Sequence, residues 1–409
     1  MSLQSIDVVR LNAILESGTR EELDDFVKNN RLVIRDGKIY PLEESEGKEA
    51  VKYWDKLQLV RKVNLNSLYG ALLNHGCRFY DHRIGQSTTL TGRSITRHMN
   101  AQINKEFTGK YEYDGDTIIY LDTDSSYFSV CPMLKKDEEL DLDSAVALYD
   151  HITDRVTGTF GIYMQEAFNT SLEKGRIIKA GREVVASSGI FVTKKRYALM
   201  VNDKEGFRYP DGKLKAMGLD LKRADTPEFV QDFLEDILTK TLKGEKEKVI
   251  IQDIRKFKDY FRSLQKWEMG TPKRVNNLSA YTDRSEGVNK DRVIGSSKKA
   301  NNMIPGHVMA SINWNILRGA FGDHHSMPIT DGSKVIVCRL RPNPMGYNSI
   351  AWPIDEQRLP DWFKELPFDA ETMEAAIVSK KVQNVLGETG WDLDKANEAK
   401  ALGTFFSFN

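Results

Sequence analysis

Apolar residues recur at helical spacing most clearly between Phe229 and Leu264. Phe229, Val230, Phe233, Leu234, Ile237 and Leu238 form one stripe. After Gly244, the residues Ile250, Ile254, Phe257, Phe261 and Leu264 repeat at i, i+4, i+7, i+11 and i+14. Two packed helices are expected there. Thr226-Pro227 would start the first, a capping hydroxyl followed by proline at the first helical position. A helix is also expected from about Glu49 to Tyr69, and residues 142–170 carry the same spacing. Residues 177–201 read as strands, and the β-rich runs Thr117–Leu121 and Ser126–Val130 flank Asp122-Thr123-Asp124-Ser125 as a hairpin. Arg35-Asp36-Gly37-Lys38, between two short apolar runs, predicts another hairpin. The remainder of 71–130 mixes apolar and polar positions without a clear period. Glu43 to Glu49 is acidic and expected to be solvated, and 270–305, rich in Gly, Asn, Lys and Ser, is expected to be a mobile loop region. There is no internal repeat.

Length and charge add bounds rather than identity. With 409 residues, two or three domains are expected. Lys+Arg and Asp+Glu both number 59, so the net charge is zero, which neither supports nor excludes a nucleic-acid partner because a local basic surface suffices. Cys77, Cys131 and Cys338 lie far apart, without metal-ligand spacing, and suit reduced thiols in the cytoplasm. The adjacent pair His324-His325 has no Cys/His cluster around it and suits a loop. Met1 to Arg10 lacks the apolar core of a signal peptide, and no run of about 18 apolar residues occurs, so a soluble protein without a membrane partner is expected.

Chemistry concentrates in a few segments. On the helix ending near Gly70, Lys62, Asn66 and Tyr69 fall on one face at i, i+4 and i+7. An ammonium suits a triphosphate and an aromatic ring can pack on a base pair. A solvated lysine on an ordinary amphipathic helix that stops at glycine fits the same spacing. Asp122 and Asp124, two apart, can share a face in extended backbone, where their repulsion favours a cation between them. Hard oxygen ligands favour Mg²⁺. An Asx turn at a solvated hairpin tip is the competing reading. A basic helix ending in an aromatic ring, followed by a two-carboxylate turn, suggests nucleotide polymerisation on a template. In the expected strand Phe191–Met200, alternation puts Lys195 and Tyr197 on one face and Lys194 and Arg196 on the other, so neither face suits plain apolar core. Contact with phosphates is one use of these cations. The tail Leu402-Gly403-Thr404-Phe405-Phe406-Ser407-Phe408-Asn409 exposes Leu402, Phe405, Phe406 and Phe408 unless it packs back or docks into a partner's groove.

The segments Lys62–Gly70 and Asp122–Ser125 resemble motifs B and C of family B DNA polymerases, most nearly the replicative enzymes of tailed bacteriophages. Lys194-Lys195-Arg196-Tyr197 is similar to the phage family's KKRY segment, and Arg182-Glu183 to the Arg-Glu upstream of it. Leu214–Leu219 with Thr226-Pro227 looks like the palm-to-thumb passage. Asn343-Pro344-Met345-Gly346 and Ala351-Trp352-Pro353 are similar to the thumb. The tail resembles a sliding-clamp-binding segment. The likeness runs from about residue 51 to the C-terminus.

Departures are equally informative. The family's motif A, an Asp followed by x-x-Ser-Leu-Tyr-Pro, should precede motif B. Here the one Ser-Leu-Tyr is Ser67-Leu68-Tyr69, with Asn64 at the Asp position and Gly70 for Pro. No exonuclease carboxylate motif is visible upstream. Gly181 stands where phage relatives tend to carry Asp, which puts an auxiliary cation site near Glu183 in doubt.

The resemblance implies an α+β fragment of a polymerase right hand, with an antiparallel palm sheet, a helical fingers remnant and a mainly helical thumb. Its expected parts are the C-terminal fingers with motif B (1–75), the palm with motif C and the KKRY-like segment (76–225), the thumb (226–400) and the clamp-binding tail (401–409). It further implies templated addition of dNTP to the primer 3′-end of a DNA primer–template, with two Mg²⁺ ions about 3.5–4 Å apart. Asp124 would be the first ligand and Asp122 a supporting one. Lys62 would neutralise the triphosphate, Asn66 support that helix surface, Tyr69 pack at the nascent base pair, and Lys194 to Tyr197 grip the duplex. Implied partners are an N-terminal polymerase half carrying motif A and the exonuclease, and a sliding clamp, in the cytoplasm of an infected host cell. A non-enzymatic DNA- and clamp-binding module, or an inactive truncated fragment, is the alternative. RNA polymerases and reverse transcriptases do not resemble these motifs.

Overall fold

A computed structural model describes residues 8–396, except 31, 36–37, 42–43, 114, 116, 132–133, 135–139 and 283–303. The tail residues Leu402, Phe405, Phe406 and Phe408 and most of the expected loop at 270–305 therefore lie outside the described residues. The chain divides into two compact units, Met1–Ser94 and Ile95–Asn409. Helices mix with small antiparallel sheets, in keeping with the α+β expectation.

The first unit begins with α1 (Val8–Ser17) and α2 (Arg20–Asn29), the latter started by a reciprocal capping box between Thr19 and Glu22. The expected hairpin follows as β1 (Leu32–Arg35) and β2 (Lys38–Pro41), paired from Leu32↔Pro41 to Arg35↔Lys38. Helix α3 then spans Glu44–Leu73, through Gly70 rather than up to it. A glycine costs a helix only about 1 kcal/mol, and the strong helix formers Ala71, Leu72 and Leu73 follow at once. The chain turns instead at Asn74, whose side-chain oxygen accepts from the Gly76 N–H at 2.9 Å.

Helix α4 (His82–Thr108) was not foreseen within the mixed stretch 71–130. Its part in the second unit carries an apolar stripe, Ile95, Met99, Ile103 and Phe107, packed with α5 (Leu142–Phe168) around Val130, Ile152, Val156 and Phe160. Asp141 caps α5 by accepting from the N–H groups of Asp143 and Ser144, and Asn169 closes it in a left-handed conformation. Strands β3 (Ile118–Asp122) and β4 (Ser125–Phe128) form the expected hairpin. After the short α6 (Leu172–Gly175), strands β5 (Val184–Thr193), β6 (Arg196–Lys204) and β7 (Phe207–Met217) make a meander with β6 at its centre.

Strand β6 is covered on both sides. Tyr197, Leu199 and Val201 pack with Tyr120, Tyr127 and Phe191, while Ala198 and Met200 join the large core of the remaining helices and strands. The expectation that cations keep both faces of this segment out of the core is thus overturned. Lys194 and Lys195 are not in the strand at all but form the turn between Thr193 and Arg196.

The large core takes in α7 (Glu228–Leu242), α8 (Glu247–Ser263), the sheet of β8 (Thr271–Arg274), β9 (Lys334–Arg339) and β10 (Ser349–Pro353), and the intervening helices, α9 (Ser279–Thr282) to α13. Among these, α10 (Gly306–Ala320), α11 (Asp361–Lys364), α12 (Ala370–Glu374) and α13 (Lys380–Leu386) follow in order. The predicted stripes bury Val230, Leu234, Ile237, Ile250, Ile254 and Phe261. Thr226 does not cap α7. Pro227 takes the cap position, and the Thr226 hydroxyl donates to the Asp220 carbonyl at 2.8 Å while accepting from the buried Lys381 ammonium at 2.8 Å. His324 and His325 lie in a loop as expected, and the three cysteines are free.

Candidate active site

The turn between β3 and β4 holds the acidic pair. Asp122 is opposite Ser125, so Thr123 and Asp124 form a two-residue turn with Thr123 at φ 54°. Asp124 therefore sits in the turn itself, exposed, and does not share an extended face with Asp122, which is half-buried. Local polar contacts hold the turn. The Ser125 hydroxyl donates to the Asp122 carbonyl at 3.0 Å, and Thr123 Oγ1 donates to Asp122 Oδ1 at 3.2 Å.

Two elements brace this hairpin from the sides. Helix α4 presents a second i, i+4 stripe one position on from its apolar one. Thr96 Oγ1 donates to the Thr123 carbonyl at 3.1 Å, and the buried Asn100 accepts from Ser126 Oγ at 2.6 Å. The β5–β6 hairpin supplies the other brace. The Lys195 N–H donates to the Tyr120 phenol at 2.7 Å, and the phenols of Tyr127 and Tyr197 bond at 2.8 Å. Tyr120, Tyr127, Phe191 and Tyr197 form an aromatic cluster in which every pair of rings lies 5.3–5.7 Å apart. Such pairs contribute about 0.5–1.5 kcal/mol each beyond area burial. Burial, followed by the bond to Tyr197, pushes the Tyr127 phenol well above the ordinary tyrosine range.

The basic turn thereby comes to rest beside the acidic one. Lys195, at φ 63°, places Nζ 3.7 Å from Asp122 Oδ1. Gly218, itself at φ 64°, packs so tightly under this turn that a Cβ there would overlap the Lys195 carbonyl oxygen. The neighbouring Arg196 points elsewhere. Its Nη2 lies 3.7 Å from Asp220 Oδ2 and 3.5 Å from the Asn384 carbonyl, and Asp220 also holds Lys381 Nζ at 3.5 Å. Tyr197 is buried. Of the four residues in this segment, the two lysines are thus the ones at the turn.

Arg182 and Glu183 have structural partners. Arg182 pairs with Asp150 at 2.6 Å and with the fully buried Asp203, which also bonds Arg208. Burial opposes charge on Asp203, but the Gly206 N–H and the two guanidiniums outweigh it and hold the carboxyl below its ordinary range. Glu183 pairs with Lys215 at 2.9 Å.

In the first unit, Lys62, Asn66 and Tyr69 follow one another along α3, the first two exposed and Tyr69 half-buried. Asp122 and Asp124 offer hard oxygen donors of the kind Mg²⁺ takes. No group of three or more potential ligand side chains occurs among the described residues. The pair fits part of a cation's shell and leaves the remainder to water, substrate or donors from elsewhere.

Residues 22–282 match the profile of DNA polymerase family B. The chain belongs to DNA polymerase family B. Its similarity is of the phage type: it is 27% identical over 377 residues to the DNA-directed DNA polymerase of Enterobacteria phage T4, covering 86% of this chain and 40% of that protein. It is 29% identical over 310 residues to the corresponding polymerase of Escherichia phage RB69, covering 72% of this chain and 33% of that one. A weaker match, 24% over 234 residues, is to DNA polymerase 1 of Pyrococcus abyssi, covering 57% of this chain and 25% of that protein. This family B chain thus spans well under half the length of the relatives it matches. Lys62, Asp122, Asp124 and Lys194 to Tyr197 all fall inside the family match. No described helix is long and apolar enough to cross a membrane.

Sequence reasoning overlooked the braces. Thr96 and Asn100 are legible only as polar positions beside an apolar i, i+4 stripe, and that stripe is diluted by Gly92 and a run of Ser and Thr. Tyr120 and Tyr127 look like ordinary strand aromatics. Nothing local marks them as contacts of a hairpin some 70 residues away.

Proposed function

We infer that this chain contributes the metal-binding turn and the duplex-holding hairpin of a DNA polymerase that adds deoxynucleotides to a primer 3′-end. One observation carries the reading. In a chain of family B, the Asp122–Asp124 turn and the Lys194–Lys195 turn are fixed side by side by Tyr120 and by the Tyr127–Tyr197 bond. Such bracing suits chemistry in which alignment of primer and triphosphate sets the rate.

Family B polymerases use divalent metal ions. Here Asp124 and Asp122 would hold Mg²⁺, which neutralises charge on the transferring phosphoryl group when bound. Lys195, close to Asp122, and Lys194 would meet duplex phosphates. Such contacts position DNA without reading its sequence. Lys62 would neutralise the triphosphate, with Asn66 and Tyr69 shaping the surface against the new base pair. In this reading residues 1–75 belong to the fingers, 76–225 to the palm and 226–400 to the thumb, and residues 401–409 bind a sliding clamp. A motif A-bearing polypeptide would supply a further carboxylate, with this chain proposed as one subunit of a split enzyme.

Primer extension with Mg²⁺ tests this, using the chain alone and with a motif A-bearing polymerase polypeptide. Synthesis is expected in the mixture only, and Asp124→Ala should lower it by about 10³-fold or more. Robust extension by the pure chain would sink the split assignment. Partner-supported synthesis that survives Asp124→Ala would leave a DNA- and clamp-binding module, which needs neither Asp122 nor Asp124.

A further inference from the structure

Helix α13 carries a lysine where its pattern calls for an apolar residue. From α12 through Ala375–Ser379 into α13, buried positions recur every four residues, and one such row is Met373, Ile377, Lys381 and Val385. Four residues at about 100° each overshoot a full turn by about 40°. The π-helical turn Ala375–Ser379, bonded over five residues, takes up part of that drift. Lys381 thus stays in the buried row, 8% exposed. A buried ammonium persists only where it is paired.

Its partners lead to the basic turn. Lys381 Nζ donates to the Thr226 hydroxyl at 2.8 Å and lies 3.5 Å from Asp220 Oδ1. Three residues on, Asn384 Nδ2 donates to Asp220 Oδ2 at 2.9 Å. The Thr226 hydroxyl in turn donates to the Asp220 carbonyl at 2.8 Å. Asp220, 4% exposed, is therefore held by α13 at both carboxylate oxygens and by Thr226 at its backbone. Two residues before it stands Gly218, which packs against the Lys195 carbonyl. Arg196 and Arg223 also approach Asp220, at 3.7 and 3.8 Å, but both are more exposed than Lys381.

We propose that Lys381 is a positioning residue for the Lys194–Lys195 turn, acting through Asp220 and Gly218 to set where that turn meets the duplex. This role rests on the duplex contact of the two lysines given under Proposed function. Stability alone does not account for the pair, because a buried ion pair is often no better than well-packed apolar groups of similar volume. What the pair fixes is distance. Asp220 moves only by leaving an ammonium, a carboxamide and its own charge unsatisfied in the core. Leu219, the one residue between Asp220 and Gly218, is itself 1% exposed, so little slack separates them. Gly218 has no room for a Cβ against Lys195, so a shift there reaches the turn backbone. Arg196 is not the link, since Asp220 keeps Lys381, Asn384 and Thr226 without it.

Lys381→Met in the full chain tests this. The thioether keeps much of the side-chain length, and a cleft of about 250 Å³ beside Asp220, Lys381 and Asn384 gives it room. Hydrogen exchange at the Lys195 amide, which donates to the Tyr120 phenol, reports the turn directly. That amide should exchange about 10-fold faster or more in the variant. Affinity for a primer–template duplex should fall about 5-fold or more. Asp220→Asn should do the same, and the double variant no more than either single one. Asn384→Ala leaves the ammonium in place, should act in the same direction, and carries the test where Lys381→Met does not fold. Leu317→Ala, which opens a cavity in the same core, should lower the urea midpoint and leave both readouts unchanged.

Unchanged exchange at Lys195 in the folded variants overturns the proposal, as do effects of Lys381→Met and Asp220→Asn that add. So does a Leu317→Ala chain whose turn loosens as much at an equal loss of stability, since Lys381 would then act through stability alone. Lys195→Ala separates the proposal from the reading beneath it. Where Lys195→Ala weakens duplex binding and Lys381→Met loosens the turn without doing so, the positioning role is wrong. Where Lys195→Ala leaves duplex affinity unchanged and Lys381→Met still loosens the turn, the duplex reading fails and the link from Lys381 to the turn stands.

Discussion

The phenol oxygens of Tyr127 and Tyr197 lie 2.8 Å apart, joining the strand that leaves the acidic turn to the strand that leaves the basic one. Both rings sit in the same aromatic cluster, and Tyr197 is almost fully buried. This single bond links residues from two hairpins that share no strand pairing. It makes their relative position a property of the fold, before any substrate binds.

Tyr127→Phe should lower stability by about 1–2 kcal/mol, because it removes one partner and strands the other phenol in a poorly solvated site. The double change Tyr127→Phe with Tyr197→Phe should cost no more than either single change. Urea denaturation of all three variants measures this, and additive losses would show that the two phenols act independently.

Gly218→Ala should be worse than its size suggests. Its φ of 64° is unfavourable for any other residue, and the added methyl would meet the Lys195 carbonyl. A loss of about 2 kcal/mol or more is expected, together with weaker duplex binding as the basic turn shifts. Equilibrium unfolding and a DNA titration report the two effects separately.

Lys195→Ala and Arg196→Ala should differ in kind. Removing the exposed Lys195 ammonium should weaken duplex binding equally for all sequences and reduce the slope of log affinity against log salt by about one. Arg196 is engaged by Asp220 and the Asn384 carbonyl, so its loss should act mainly on stability. Identical salt slopes for Lys195→Ala and the parent chain would remove Lys195 from the phosphate contacts.

His98 makes stability depend on pH. It is 4% exposed, stacked on Tyr163 at 3.9 Å and bonded to Tyr111 and Thr159. Burial lowers its pKa from 6.5 to about 4. The unfolded chain therefore binds this proton more readily, so the contribution of neutral His98 is full above pH 6.5 and is lost as pH falls toward 4. The loss amounts to up to about 3 kcal/mol. Chemical denaturation from pH 7.5 to 4.5 should show a shallower decline in His98→Gln than in the parent, and parallel profiles would argue against the assignment.

Elements with strong local signals were legible from the sequence. The stripes from Phe229 to Leu264 formed where patterning put them, because burial on one side sets a clear period, and the hairpins at Arg35 and Asp122 formed where polar turn residues interrupt β-rich runs. The Lys194–Lys195 turn was hidden for the opposite reason. Strand β6 packs on both sides, so its apolar run carries no alternation to mark where strand gives way to turn. Gly70 and Thr226 show a different failure. Each has the chemistry of a helix boundary, but at Gly70 the residues that follow prolong the helix, and at Thr226 a buried lysine 155 positions away claims the hydroxyl.

The double coverage of β6 also limits how this chain can be taken apart. Tyr197, Leu199 and Val201 belong to one core, while Ala198 and Met200 belong to another that reaches as far as Ala396. Cutting near residue 225 would strip one side of the strand and leave its alternate residues facing water. Whatever division of labour the two regions have, they cannot be exchanged between relatives as cassettes. A graft that succeeds must carry the acidic turn, the basic turn and the later helices together.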